Sequence, residues 1–586
     1  MAKPLVNDAN AHPLSHEATA RLPLGQLASP AMVWRADSGG NRRAAGILPL
    51  SPAAPPEVEP DGRASESRRH SARPVTAPAA ATSLRVLSLP DPLRRAWYLG
   101  VAVFAIQFVG LILWSWYLWS RFDLGDDMAA FGQAFSQIGS GHLNPRETSF
   151  VYHYPNWGYP FYQSAFELIM WPLALLYTAT RSLFTLLIVQ DAALVGAGLA
   201  AFRWGLEYLA RLWPKDRHGA TLVAAGLAIL LVVNPWTYWT ASFDFHFEPI
   251  ACLFAVLAAR DGWQGRRRAW LWLALLLACG DVAATYGVAV GLTLVLADSR
   301  TRRMGAGMAL ASVAWILMIG VLHGARGSGI QAYGYLAGHP VQDGVDGMVA
   351  IVVGIITHPQ RALSMLDGRW HALYQYLAGA GLIGVASAIA IAPVIVVLGT
   401  NGLNSGSIWV TDISAFQSLV IVFFMGVGAV SVITWLVRRK ERAARVLGCV
   451  IGVAGLAQAC YLSSQVTPRA RTWFAAVSKP TATELARVQR TMPLSAEAIV
   501  SINVIGRFAA RRDLYTYGIP FPGGEIVPVN NQTVYFVFVL GPEVPPESIS
   551  AVVRKIEAQG ARLIDDANGV IELIWNPPRG MTHTRL

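Results

Sequence analysis

Residues 96–119 run the length of a membrane-spanning helix without one charged side chain, with Arg94 and Arg95 just before them and Arg121 and Asp123 just after. In lipid a backbone must satisfy its own polar groups, so such a run spans a bilayer as a helix. The arginine pair sets its cytoplasmic end and puts Asp123 outside, which orients every later loop. Composition agrees: of 586 residues 54% are hydrophobic and 14% charged, and the mean hydropathy is +0.40, unlike a soluble domain with its usual quarter of charged residues. The net charge of +11 comes from basic clusters between apolar runs. That is how cytoplasmic loops are marked, and it excludes nucleic acid as a partner. Cys252, Cys279, Cys449 and Cys460 lie in apolar runs without metal-ligand spacing and read as small core residues.

Counting onward predicts about eleven spans in an all-α polytopic membrane protein. Residues 162–177 are short and interrupted by Pro172, a re-entrant or interfacial pattern. Then 183–206 returns inward to Arg211, Lys215, Arg217 and His218; 220–234 leads out, and 248–259 returns to Arg266, Arg267 and Arg268. The run 269–280 leads out, 282–296 returns to Arg300, Arg302 and Arg303, and 304–322 leads out again. After an outer loop at 324–370 come 374–387 inward, 389–399 outward, 416–437 inward to Arg438, Arg439, Lys440 and Arg442, and 447–462 outward. Every basic cluster then falls on the cytoplasmic side, whereas one miscounted span would scatter them.

The chain divides into a disordered cytoplasmic tail, 1–93, rich in Ala, Pro, Ser and Arg; a transmembrane domain, 94–466, with outer loops at 120–182 and 324–370; and a small extracytoplasmic α/β domain, 467–586. In the last, Thr481 and Glu484 have capping-box spacing, 533–540 is a β-rich run, 546–559 is an amphipathic helix stopped by Gly560, and Asn568 with Gly569 makes a hairpin turn.

Ionisable side chains gather at the outer face. Asp123, Asp126 and Asp127 follow the first span, ahead of a helix from Met128 and the aromatic cluster Tyr152, His153, Tyr154 and Trp157. Asp244, His246 and Glu248 alternate with phenylalanines at the outward end of another span, Asp281 opens a third, and the loop with Arg326 offers a cation for a phosphate. Each acid has a plain alternative: Asp126 or Asp127 caps the helix at Met128, Glu248 caps the one opened by Pro249, and Asp281 is an N-cap. One cap needs one carboxylate, and three within five residues beside lipid point to a catalytic mouth.

The Phe122-Asp123-Leu124-Gly125 start, the Asp244-Phe245-His246-Phe247-Glu248 motif, Asp281, and a tail element from Val500-Ser501-Ile502-Asn503 to Asp513-Leu514-Tyr515 resemble the bacterial membrane-protein family called domain of unknown function 2079. The family is similar in turn to the GT-C glycosyltransferases. This chain departs from its pattern at Phe247, at Cys279-Gly280 and at Phe416-Gln417. The resemblance implies a plasma-membrane enzyme, multi-pass with a cytoplasmic N-terminus, that moves a sugar from a polyprenyl-phosphate donor to a glycan or lipid acceptor of the cell envelope. Asp123, Asp126 or Asp127 would be the general base. Asp244, His246, Glu248 and Asp281 would orient sugar hydroxyls or hold a divalent metal, and Arg326 would meet the leaving phosphate. The alternative is a non-catalytic transporter or a lipid- or sugar-binding protein of the same fold.

Overall fold

The computed structural model describes residues 89–585 apart from 150–158, 165, 213–216, 324–329, 342–343, 406–415, 440, 519–525, 531–532 and 541–545. Among them, six helices are long and apolar enough to cross a membrane: Asp91–Arg121, Phe184–Leu212, His218–Ser242, Arg302–Leu322, Phe416–Val437 and Arg442–Thr472. The remaining apolar runs form shorter helices, Glu248–Trp263, Ala269–Leu277, Asp281–Ala297 and the broken Ile391–Leu403. Glu248–Trp263 is buried along most of its length. A helix covered by its neighbours needs no lipid-length apolar run, so hydropathy alone gives a larger number of spans than helix length does. Phe184–Leu212 and Phe416–Val437 lie at the centre of the bundle, while Asp91–Arg121 and Arg442–Thr472 expose most of their surface.

The stretch the sequence assigns to an outer loop contains two helices, Val345–Thr357 and Pro359–Asp367, bent by 85°. Proline at the first turn of the second cannot continue the first. Val349, Val352, Val353 and Ile356 point outward, which suits lipid rather than water. Beyond them Trp370–Gly379, Leu382–Ala386 and Ile391–Leu403 make a broken hairpin, interrupted at Gly381 (φ +86) and loosened by a π-helical turn at Val394–Leu398. Buried Arg369 ties its two ends by donating to the carbonyls of Gly402 (3.0 Å) and Asn404 (2.8 Å). At one end of the bundle Glu207 accepts hydrogen bonds from Arg203, Arg260 and Gln264, and Asp261 accepts from Arg266, Arg268 and Trp272.

Helix Arg442–Phe474 leads to Lys479–Thr491, whose N-cap is Ser478, not Thr481: the Ser478 hydroxyl accepts from the Thr481 N–H (3.3 Å). Pro480 explains the shift, because proline suits the first turn and not the residue before a cap. A five-stranded sheet follows in the order Leu514–Tyr517, Glu497–Ser501, Val534–Val539, Val570–Trp575, Arg562–Ala567. Its first three strands are parallel and its last three antiparallel. The predicted hairpin turn is present, with Asn568 at φ 55 and Gly569 at φ 80, as is the helix Pro546–Ala558 ahead of Gly560.

This domain packs on the segment after the first span. The Gly506 N–H donates to the Leu124 carbonyl (2.9 Å), and a Cβ on Gly506 would lie 2.8 Å from that of Leu124. The Arg507 guanidinium sits 3.8 Å from the Phe122 ring centroid and donates to the Trp119 carbonyl (3.1 Å). Buried Gln133 donates to the Thr148 hydroxyl (2.8 Å) and the Arg511 carbonyl (3.1 Å). The tail element and the first-span motif, far apart in sequence, are thus one packed unit.

The orientation is testable by cysteine labelling in a background with Cys449 and Cys460 replaced by Ser. A membrane-impermeant maleimide added outside should modify a cysteine at Asp565 and spare one at Arg439. The reverse pattern would overturn the orientation.

Candidate active site

Phe122, in the left-handed conformation at φ 62, turns the chain off the end of the first span, and helix Asp126–Gly139 starts three residues later at Gly125. The first N–H groups of a helix need acceptors. Asp126 meets only the N–H groups of itself and Asp127, and no side chain of this stretch takes those of Gly125 and Met128. Instead Asp244 reaches across from the second motif, its Oδ1 accepting from the Gly125 N–H (2.8 Å) and its Oδ2 from the Met128 N–H (3.2 Å). A Cβ on Gly125 would lie 3.0 Å from Asp244 Oδ2, so glycine makes room for the borrowed cap. One oxygen of each of Asp126, Asp127 and Asp244 lies within 4.8 Å of the others.

His246 stands beside this trio. Its Nε2 is 3.4 Å from Asp127 Oδ2 and its Nδ1 is 3.7 Å from Glu248 Oε2. The ring packs on Phe416, centroids 3.8 Å apart, with Phe243 and Phe131 around it. The backbone N–H of His246 donates to Gln190 Oε1 (2.8 Å), which fixes the segment to the central helix. Glu248 is no cap either: the N-cap of its helix is Phe247, without a side-chain bond. At the next helix the N-cap is Gly280, at φ +113, and exposed Asp281 accepts from the N–H of Val282 (2.7 Å).

The sequence reading passed over Glu167. It is packed against Gly280, where a Cβ would lie 3.1 Å from its Oε1, and it is near enough to Asp281 and Glu248 to feel both charges. The signal was present: one acid in the apolar run 162–177. Gln190, inside a span, carried no comparable mark, and Phe416 stood out only as a departure from the family pattern. Asp123 goes elsewhere. Its Oδ1 accepts from the Val477 N–H (2.8 Å) while Arg121 donates to the Val477 carbonyl (3.3 Å), so the pair holds the short segment between helices Arg442–Phe474 and Lys479–Thr491. Arg326 and the aromatic cluster at Tyr152 to Trp157 lie outside the described residues.

Burial is the first cause of the site's protonation behaviour. It raises the pKa of Asp126 well above the ordinary carboxylate value, with the charges of Asp127 and Asp244 adding to it. Asp244 is raised to about 6 by burial and by Asp127, against the pull of the two N–H groups it accepts. Glu167 is raised by burial, then by Asp281 and Glu248. For His246 burial works downward, but Asp127, Glu248 and Asp244 outweigh it and hold the imidazole above its usual value. Asp126, Asp244 and Glu167 are thus all shifted upward around one imidazole, a perturbation of the kind that gathers at functional sites. Asp126, Asp127 and Asp244 also fit a divalent cation, since carboxylate oxygens are the donors a hard ion such as Mg²⁺ or Mn²⁺ takes.

A protein-family model described as "Predicted membrane protein (DUF2079)" matches residues 101–516, a span that includes both acidic motifs and the tail element packed on the first. Among solved structures the chain is similar to ArnT from Cupriavidus metallidurans bound to undecaprenyl phosphate, at 12% identity and a TM-score of 0.42, over 80% of this chain and 97% of that one. No curated protein matches the chain.

Asp123 gives a pH test. Burial raises its pKa from 3.8 to about 7, against the opposing pull of the Val477 and Ala476 N–H groups and Arg121. Between those values the folded chain keeps a proton that the unfolded chain has lost, so this group's contribution to stability falls as pH rises to about 7 and then levels. Asp123→Asn keeps the acceptor and removes the titration. Its melting temperature should match the wild type at pH 4 and exceed it by several degrees at pH 8; a gap that is the same at both would overturn this account.

Proposed function

The chain belongs to the DUF2079 family of predicted membrane proteins, and we propose that it is a glycosyltransferase. On this reading it moves a sugar from a polyprenyl-phosphate donor to a cell-envelope acceptor at the outer face of the plasma membrane. The observation that carries this reading is the alignment of Asp127, His246 and Glu248, with Asp127 Oδ2 3.4 Å from the imidazole and its side chain 27% exposed. Of the three acids after the first span, Asp123 is committed to the Val477 backbone and Asp126 lies against the N–H groups of itself and Asp127, with burial raising its pKa. Asp127 is left as the base.

In the reaction Asp127 takes the proton of an acceptor hydroxyl as that oxygen bonds to the anomeric carbon. The bond from that carbon to the phosphate oxygen breaks, and the electron pair leaves with the polyprenyl phosphate. His246, between Asp127 and Glu248, fixes the orientation of the base and shares the proton it takes up. Glu167, Glu248 and Asp281 line the side from which sugar hydroxyls would be held. A cation bound by Asp126, Asp127 and Asp244 would supply positive charge to the departing phosphate. Asp244 has a second duty, since loss of its two backbone bonds would free the start of the helix that carries Asp127.

Purified protein in liposomes, given a panel of radiolabelled polyprenyl-phosphate hexoses and pentoses, tests the reading. Asp127→Asn should lower transfer by about a hundred- to ten-thousand-fold, the usual loss of a general base, with folding and lipid binding kept. Sugar accumulation inside the liposomes without transfer would instead identify a transporter. If Asp127→Asn transferred sugar at the wild-type rate and differed only in melting temperature, the enzyme reading would fail.

A further inference from the structure

The opposite end of the bundle holds a second cavity. Gln190 and Phe416 mark the acidic end of the two central helices, and Leu212 and Arg438 lie at the other ends of the same helices. At the rise of an α-helix the separation is about 30 Å, the thickness of a bilayer core. There the tip of the broken hairpin, Ala386 to Ala388, stands off from the end of Phe416–Val437 and leaves a cavity of about 700 Å³. Gly384 and Gly428 approach so closely that a Cβ on Gly428 would lie 2.7 Å from the Gly384 carbonyl oxygen, which seals the inner side. Tyr208 and Ser431 join hydroxyls at 2.9 Å along one wall, and Trp435 is exposed at the rim.

The charge of this cavity is one-sided. Arg438 and Arg439 are both exposed on its rim, and among the described residues neither meets a carboxylate. Arg439 lies over the Trp435 ring, 4.3 Å from its centroid. Thr434 also lines the cavity, and its buried hydroxyl has no hydrogen-bond partner among the described residues. The bases nearer the core at this end, Arg203, Arg260 and Arg266, are matched by Glu207 and Asp261.

We propose that this cavity binds one anionic phospholipid of the leaflet opposite the acid cluster. Its phosphate would pair with Arg438 and Arg439, and its upper acyl chain would lie against the apolar wall. Anionic lipid is the occupant that complements both halves: arginines recognise phosphate oxygens, and an apolar wall at bilayer depth takes a chain. A free phosphate would use only the rim.

Native mass spectrometry of the full chain released from nanodiscs tests this, with phosphatidylglycerol and phosphatidylcholine in equal amounts. One retained phosphatidylglycerol per chain, favoured at least fivefold over phosphatidylcholine, is expected. Arg438→Gln with Arg439→Gln should abolish the preference. Ala388→Trp, which fills the cavity and leaves the charges, should reduce occupancy of both lipids. Arg302→Gln with Arg303→Gln, which removes two charges elsewhere on the same face, should change nothing. Equal retention of the two lipids, survival of the preference in the double glutamine variant, or equal loss in the Arg302 and Arg303 control would overturn the proposal. So would a melting shift from inorganic phosphate as large as that from phosphatidylglycerol, because a chain-independent anion site would explain it.

Discussion

The Asp244 carboxylate, accepting the Gly125 and Met128 N–H groups, is the contact on which the acid cluster depends. A helix start that sits beside lipid and protein cannot leave its donors to water, so an acceptor must come from somewhere. Taking it from another span has two effects that a local cap would not. It fixes the distance between the two acidic motifs, and it makes the start of the helix that carries Asp127 depend on the second motif. The negative charge at the helix start is favourable to the dipole, which partly offsets the repulsion of three carboxylates held together. Burial and mutual repulsion raise the pKa of Asp126 and Asp244, which is how so acidic a group is accommodated.

The C-terminal domain is part of the same construction. Arg507 lies against Phe122 and Trp119 with its guanidinium largely away from water, and its pKa is lowered to about 10 by burial. A buried cation without a carboxylate is expensive unless aromatic faces and carbonyls receive it, and here Trp119 and Gln489 do so. Asp123 and Arg121 then hold the entering segment at Val477. Both anchors touch residues that precede the Asp126–Gly139 helix, so the domain helps set the attitude of that helix.

Apolar runs and basic clusters made much of the fold legible, because lipid imposes simple rules on both. Length was harder to read: Glu248–Trp263 is apolar for burial in protein rather than for contact with lipid, and hydropathy cannot distinguish the two. Residues 345–367 read as a loop because proline and glycine interrupt them, yet they form a bent pair. Turn chemistry was legible where it is local, as at Asn568 and Gly569. Capping was not legible where it is borrowed. Nothing near Gly125 announces Asp244, and Ser478 displaced Thr481 through the position of Pro480. At the site the acids were found by their nearness to span ends. The commitment of Asp123 to a backbone 354 residues away is invisible without the fold.

The broken hairpin joins the two ends. Its open ends are tied by Arg369 near the face that carries the acids, and its tip lines the cavity at the other face. An unbroken helix pair would fill the space between Phe416–Val437 and its neighbours along its whole length. The breaks at Gly381 and the π-helical turn after Pro393 prevent that. Backbone groups freed by such breaks are tolerated at membrane depth only where protein or a water-filled cavity receives them. Ser387 answers part of that need, its hydroxyl accepting from the Ile389 N–H (3.2 Å), and Thr293 donates to the Ile389 carbonyl (3.2 Å). The irregular hairpin is therefore held by specific polar contacts in both directions, and the space beside its tip follows from the fold rather than from loose packing.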